Sequence, residues 1–147
     1  MIKECMIMIV CVAVDDRMGM MFYNRRLSQD RQLRTKLLQL AGEQRLWMNR
    51  YSAKQFGSPL AANIAVDEDF LNRAGADDYC FVENLSLKEY TEKMTKLVLF
   101  RWNRAYPADI YLDISLTGPD WKLTGSDEFT GYSHEKITVE EWEHERA

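Results

Sequence analysis

Residues Met6 to Val14 read MIMIVCVAV, an uninterrupted apolar run rich in β-branched side chains. A strand with one wet face would alternate, and an amphipathic helix would show a polar residue every few positions, so this run predicts a strand covered on both faces. Such strands sit in the middle of parallel or mixed sheets flanked by helices, which confines the chain to the α/β class. The run is also far short of the roughly 20 apolar residues of a membrane helix, and it ends directly in Asp15-Asp16. No membrane attachment is expected. Lys3-Glu4 ahead of it makes no basic leader, and no small-residue cleavage site follows, so the expected compartment is the cytoplasm.

A chain of 147 residues can bury well over half of its unfolded surface around one core. One domain spanning 1–147 is expected, because no linker, repeat or low-complexity segment interrupts it. The hydrophobic share of 46% and charged share of 29% are ordinary for a globular protein, and a net charge of −4 argues against a general nucleic-acid or membrane-surface binder. The three cysteines, Cys5, Cys11 and Cys80, lack Cys-x-x-Cys spacing and read as reduced, mostly buried thiols.

Past the first strand, Asp15 to Gly19 is a turn and Met18 to Phe22 a Met-rich loop. Ser28 is a candidate N-cap for a helix whose stripe is Leu33, Leu37, Leu38 and Ala41, and Gly42 is its stop. Leu46-Trp47-Met48 predicts a second strand and Tyr51 to Phe56 a short helix. Ala62 to Val66 predicts a third, buried strand, and Cys80-Phe81-Val82 a fourth. Ser86-x-x-Glu89 has the form of a capping box for a helix to about Met94, before a fifth strand from Lys96 to Phe100. In the last third, Asp109 to Leu116, Trp121, and Ile137-x-Val139 with Trp142 predict antiparallel strands closing the sheet edge. The expected architecture is a mixed, mainly parallel central sheet with flanking helices and a C-terminal antiparallel hairpin.

This order of elements, with several local strings, resembles the dihydrofolate reductase family over most of the chain. The strings are Ala13-Val14-Asp15 before Met18-Gly19-Met20, Leu27-Ser28-Gln29-Asp30 at the helix start, and Met48-Asn49-Arg50-Tyr51-Ser52 after the second strand. Asn63-Ile64, Ala76-Asp77-Asp78 to Tyr90, and a hairpin-like stretch from Ser133 to Glu143 follow in order. The resemblance implies a dihydrofolate reductase-like fold, and it implies NADPH and folate sites whose residues this sequence departs from. Where the family holds the folate carboxylate with an arginine, the chain reads Ser58-Pro59-Leu60-Ala61-Ala62-Asn63. Where it places serines near the 2′-phosphate, the chain carries Asp67-Glu68-Asp69, which would repel a phosphate. The family's Gly-Gly turn after the fifth strand, which lets backbone approach a pyrophosphate, is aligned here with Leu99-Phe100-Arg101-Trp102-Asn103. Its bulky side chains would fill that space, and the helix after it is cut down to about 104–107. The expectation is therefore that NADPH is disfavoured and no cofactor is used.

Asp30 matches the family's catalytic carboxylate, which would hydrogen-bond a pterin-like ring and relay a proton. An Asp in a first helical turn is equally explained by the macrodipole. Arg50 and Ser52, at a helix start, could grip a phosphate through guanidinium, hydroxyl and free backbone donors. Arg101 and Trp102 complete the candidate ligand contacts. From Arg17 to Lys54 the chain is strongly basic, and from Asp127 onward it is acidic. Arg25, Arg26, Arg31 and Arg34 are therefore candidates for binding a protein partner or an anionic ligand, with nucleic acid less favoured, although pairing with the acidic tail explains the asymmetry as well. His134-Glu135 starts like a zinc-protease string but lacks the second histidine, so no metal site is expected. Ser, His and Asp are present without any local context that would bring a nucleophile to a base.

Two readings follow. One is a non-catalytic binding or regulatory protein whose old cleft is filled by Phe100 and Trp102. The other is a small atypical reductase, or another enzyme, acting on a pterin-like or nucleotide ligand around Asp30.

Overall fold

A computed structural model describes residues 7–145. Cys5 and Met6 lie outside them. The first strand, β1 (Met8–Val14), pairs in parallel with β6 (Tyr79–Phe81) on one side and β7 (Met94–Arg101) on the other. Its side chains divide by parity. Met8, Val10, Val12 and Val14 enter one buried cluster, and Ile9 and Cys11 enter another on the opposite face, as a strand with period two requires when both faces are covered.

Helix α1 (Arg31–Ala41) covers the Ile9 and Cys11 face with Leu33, Leu37 and Ala41. Its N-cap is Asp30, which has extended φ and ψ and accepts the Gln32 N–H; the expected cap, Ser28, lies two residues too early. Gly42 closes the helix with φ 59° and returns its N–H to the Leu38 carbonyl, a conformation natural to glycine. β4 (Leu46–Met48) then leads into the short α2 (Arg50–Ala53) and a 3₁₀ turn, Lys54–Phe56. β5 (Ile64–Val66) is half-buried to exposed, because it is the sheet edge and not the buried strand its apolar sequence suggests.

α3 (Phe70–Arg73) precedes β6. The segment before β7 is a 3₁₀ helix, Lys88–Lys93, without a side-chain cap. The capping box does not form, because the Ser86 hydroxyl and the Leu87 N–H both donate to Asp113 instead. The main sheet has the order β5-β4-β6-β1-β7-β10-β9, closed by the antiparallel strands β9 (Trp121–Phe129) and β10 (Ile137–His144). A second, small sheet has the order β3-β2-β8. The Met-rich segment is its central strand, β2 (Gly19–Phe22), flanked by β3 (Arg25–Arg26) and β8 (Ile110–Tyr111). The alternating stretch from Asp109 thus contributes only Ile110 and Tyr111 as a strand, and to this second sheet, leaving the main sheet edge to β9.

Two further expectations change with this topology. β7 is the last parallel strand and hands on to an antiparallel pair, so the residues after it begin no crossover, and 104–107 form no helix. β6, parallel to both of its neighbours β4 and β1, runs instead into the turn Val82-Glu83-Asn84 at its carboxyl end. Phe100 is fully buried on the α1 side, edge-on to Phe129, and belongs to the core and not to a filled cleft.

Candidate functional site

The amino end of α1 meets the loop between β9 and β10 at Asp30. This side chain is 3% exposed, a placement that demands hydrogen-bond partners. Oδ1 accepts the backbone N–H of Gln32 and of Tyr132, each at 2.8 Å. Oδ2 accepts the Ser133 N–H at 2.8 Å, the Ser133 hydroxyl at 3.2 Å and His134 Nδ1 at 2.8 Å. Burial by itself would push the carboxyl upward, but the Tyr132, His134, Ser133 and Gln32 donors outweigh it and hold Asp30 well below the usual carboxylate range. The loop fits closely enough to exclude a side chain at Gly131, where a Cβ would lie 2.7 Å from the His134 carbonyl oxygen and 2.8 Å from Asp30 Oδ2.

His134 is itself buried, stacked on Trp102 with ring centres 4.5 Å apart. In the neutral ring, the acceptor-only Asp30 carboxylate selects the tautomer with its proton on Nδ1, which leaves the Nε2 lone pair facing Ser28. The Ser28 hydroxyl lies 2.9 Å from Nε2, and the Tyr106 hydroxyl 3.3 Å away. The fold therefore brings His134 to Ser28 and Asp30, which are two residues apart in sequence; 104 positions separate Asp30 from His134. A cavity of about 180 Å³ opens beside them, lined by residues 102–104 and 133–136. It is smaller than the roughly 300 Å³ at which small-molecule pockets begin. The larger concavity, about 830 Å³, is a surface groove lined by residues 42–45, 62–65 and Asp78, none of which joins this network.

A second polar centre occupies the carboxyl ends of β4 and β6. Glu83, buried, takes Arg26 through Nε at 2.9 Å and Nη2 at 3.2 Å, the Ser52 hydroxyl at 2.7 Å and the Gln55 amide at 3.1 Å. Arg26 also lies over the Tyr51 ring, 4.4 Å from its centre, and donates to the Tyr51 carbonyl. The phosphate grip expected of Arg50 and Ser52 is not assembled. The Ser52 hydroxyl faces a carboxylate, its N–H goes to the Asn49 side chain, and the Arg50 N–H goes to Glu68. The Arg50 side chain is exposed.

Of the other candidates, Arg101 is tied to Glu140 at 2.9 Å within its own sheet, and Trp102 is buried against His134. The four arginines differ in their surroundings. Arg26 turns inward to Glu83, Arg25 is exposed, Arg31 lies 4.2 Å from the centre of the Tyr132 ring, and Arg34 contacts Gln29. Among the described residues, Glu128, Glu140 and Glu141 of the acidic tail pair with Lys136, Arg101 and Lys96, none of which lies between Arg17 and Lys54. No helix among them is long and apolar enough to cross a membrane, and no group of three or more His, Cys, Asp or Glu side chains is placed to hold a metal ion.

The fold is that of dihydrofolate reductase: a mainly parallel central sheet with flanking helices and antiparallel closing strands. A solved structure of dihydrofolate reductase from Enterococcus faecalis, complexed with NADP(H) and RAB-propyl, superposes with a TM-score of 0.70 over 97% of this chain and 98% of that one, at 11% sequence identity. No protein-family model and no curated protein sequence matches the chain. Of the residues in the Asp30 network, sequence reasoning singled out Asp30 and Trp102 and missed the partners Ser28, Tyr106 and Ser133 and the role of His134.

Proposed function

We propose that this protein acts by binding, as a regulatory or partner-binding protein, and that it does not carry out NADPH-dependent reduction of folate. The observation that carries this reading is the saturation of Asp30. A carboxylate kept for a pterin-like ring needs an open acceptor position, and both oxygens here are occupied by donors of the chain itself. The residues present do not fit NADPH either. In a parallel α/β sheet, ligands enter the crevice at the carboxyl ends of the strands. Here that crevice holds the Glu83 carboxylate after β6, and Glu68 already occupies the Arg50 N–H at the start of α2. With Arg26 claimed by Glu83 and the Arg50 N–H by Glu68, neither donor is open to a pyrophosphate. A fold shared with a reductase does not by itself confer its chemistry.

On this reading, the partner or anionic ligand is met by outward arginines, Arg25, Arg31 and Arg34, with Arg26 serving the Glu83 pair. The buried free thiols Cys11 and Cys80 suit a reducing compartment such as the cytoplasm. The test is thermal denaturation with NADPH, NADH, dihydrofolate and nucleotides at 1 mM. A ligand that binds only the native state at 100 times its Kd adds about 2.7 kcal/mol, so a micromolar NADPH site would raise the melting temperature by several degrees. No shift is expected with NADPH or dihydrofolate, and such a rise would overturn the proposal. An enzyme centred near Asp30, the second reading, is favoured by one observation, the placement of Ser28 on His134 Nε2.

A further inference from the structure

We infer that Ser28 is a nucleophile, activated by His134 and Asp30, toward short-chain acyl esters. The inference is independent of whether the protein binds a cofactor or partner. Its basis is a continuous line of hydrogen-bond contacts: Ser28 Oγ with His134 Nε2 at 2.9 Å, and His134 Nδ1 with Asp30 Oδ2 at 2.8 Å. Nucleophile, base and orienting carboxylate stand in the order and reach that acyl-transfer chemistry requires, and such constellations are recognised by geometry and role whatever the fold. Three features keep the imidazole in place. Asp30 is immobilised by backbone N–H groups on both sides of the loop contact. The ring is stacked on Trp102, and its side chain is 5% exposed. Nδ1 has an acceptor-only partner, which fixes Nε2 as the basic nitrogen.

Ser28 itself is half-buried, not sealed. It precedes the N-cap of α1, Asp30, by two residues. A cavity of about 180 Å³ borders His134, lined by residues 102–104 and 133–136 and not by Ser28 itself; it equals the liquid volume of about six waters, so only a short acyl group would find room against the imidazole.

In the reaction, Ser28 Oγ bonds to the ester carbonyl carbon as its proton passes to His134 Nε2. Collapse of the tetrahedral adduct breaks the bond to the alkoxide leaving group, which takes that proton. Water then attacks the acyl-serine by the same route, giving back the free serine, so that ester and water yield acid and alcohol.

The test uses a short-chain fluorophosphonate, with which Oγ–P forms, P–F breaks, and fluoride leaves as His134 takes the proton. Intact-mass and peptide analysis of the folded protein should show one phosphonyl adduct on Ser28, and p-nitrophenyl acetate should turn over. Ser28→Ala, at a half-exposed position, should keep the wild-type melting temperature and lose both signals. His134→Gln with wild-type circular dichroism should lower the labelling rate about 100-fold or more. Absence of an adduct at Ser28 in the folded wild-type protein, equal labelling in Ser28→Ala, or an unchanged rate in folded His134→Gln would each overturn the inference.

Discussion

Replacing Asp30 by Asn separates a carboxylate that holds the structure from one reserved for a ligand. Asparagine keeps an acceptor for the Gln32 and Tyr132 N–H groups but sets an NH₂ group where Oδ2 now receives the Ser133 N–H and His134 Nδ1–H at 2.8 Å each. His134 can relieve its clash by moving its proton to Nε2; the Ser133 amide has no such escape. One buried donor left unsatisfied costs about 1–3 kcal/mol, and the lost charge assistance adds about 1 kcal/mol, so the variant should be less stable by about 2–4 kcal/mol. For a chain of this length that is a fall of roughly 5–15 °C in melting temperature, measurable by calorimetry at pH 7. The pH dependence has a definite sign. The folded pKa lies below the ordinary 3.8, so the contribution is complete above that value and is lost as the pH falls through it toward the folded pKa. The gap between wild type and variant should therefore narrow between pH 5 and pH 2. Carboxylates held in place for a ligand commonly destabilise the free protein. A variant as stable as wild type, or more so, would refute the account of Asp30 as a structural anchor.

Glu83→Ala should destabilise by about 2–4 kcal/mol, somewhat under the range for a fully buried pair, because it strands the Arg26 guanidinium, whose side chain is 20% exposed; a urea midpoint within error of wild type would count against the pair. Burial pushes the Cys80 thiol up to about 12 and that of Cys11 higher still. At pH 8 the native protein should therefore yield at most one fast-reacting thiol, Cys5, to a disulfide reagent, and all three in guanidinium; rapid native titration of two or more would contradict the packing of β1 against β6.

Much of the fold was legible because its signals are local. The β1 run, the Leu33, Leu37 and Ala41 stripe and the stop at Gly42 each report burial or backbone shape within a few residues. What misled was also local. Ser28 and Ser86 have the chemistry of caps, but their hydroxyls are claimed by His134 and Asp113, which are far away in sequence. Met18 to Phe22 carries no alternation that would mark a strand, since β2 is buried over Gly19, Met20 and Met21 between two very short partners. The site was less legible than the fold. Asp30 could be singled out by its place at a helix start, but His134 is followed by Glu135 without the second histidine of a metal string, and only the pairing of β9 with β10 brings it to Asp30. Phe100 lies away from any cofactor turn because β7 pairs with the antiparallel β10 and starts no crossover, a neighbour that the sequence of β7 does not reveal.

That neighbour relation bears on how the chain is made. β10 lies between β7 and β9 although it follows both in the chain, so on a ribosome β7 is complete, with an open edge, well before its partner has emerged. β9 arrives first and must be kept from taking that edge, which is the kind of unpaired strand that recruits other chains. Nascent protein stalled between Phe129 and Ile137 should accordingly be the most aggregation-prone stage of synthesis, a vulnerability that the finished sheet no longer displays.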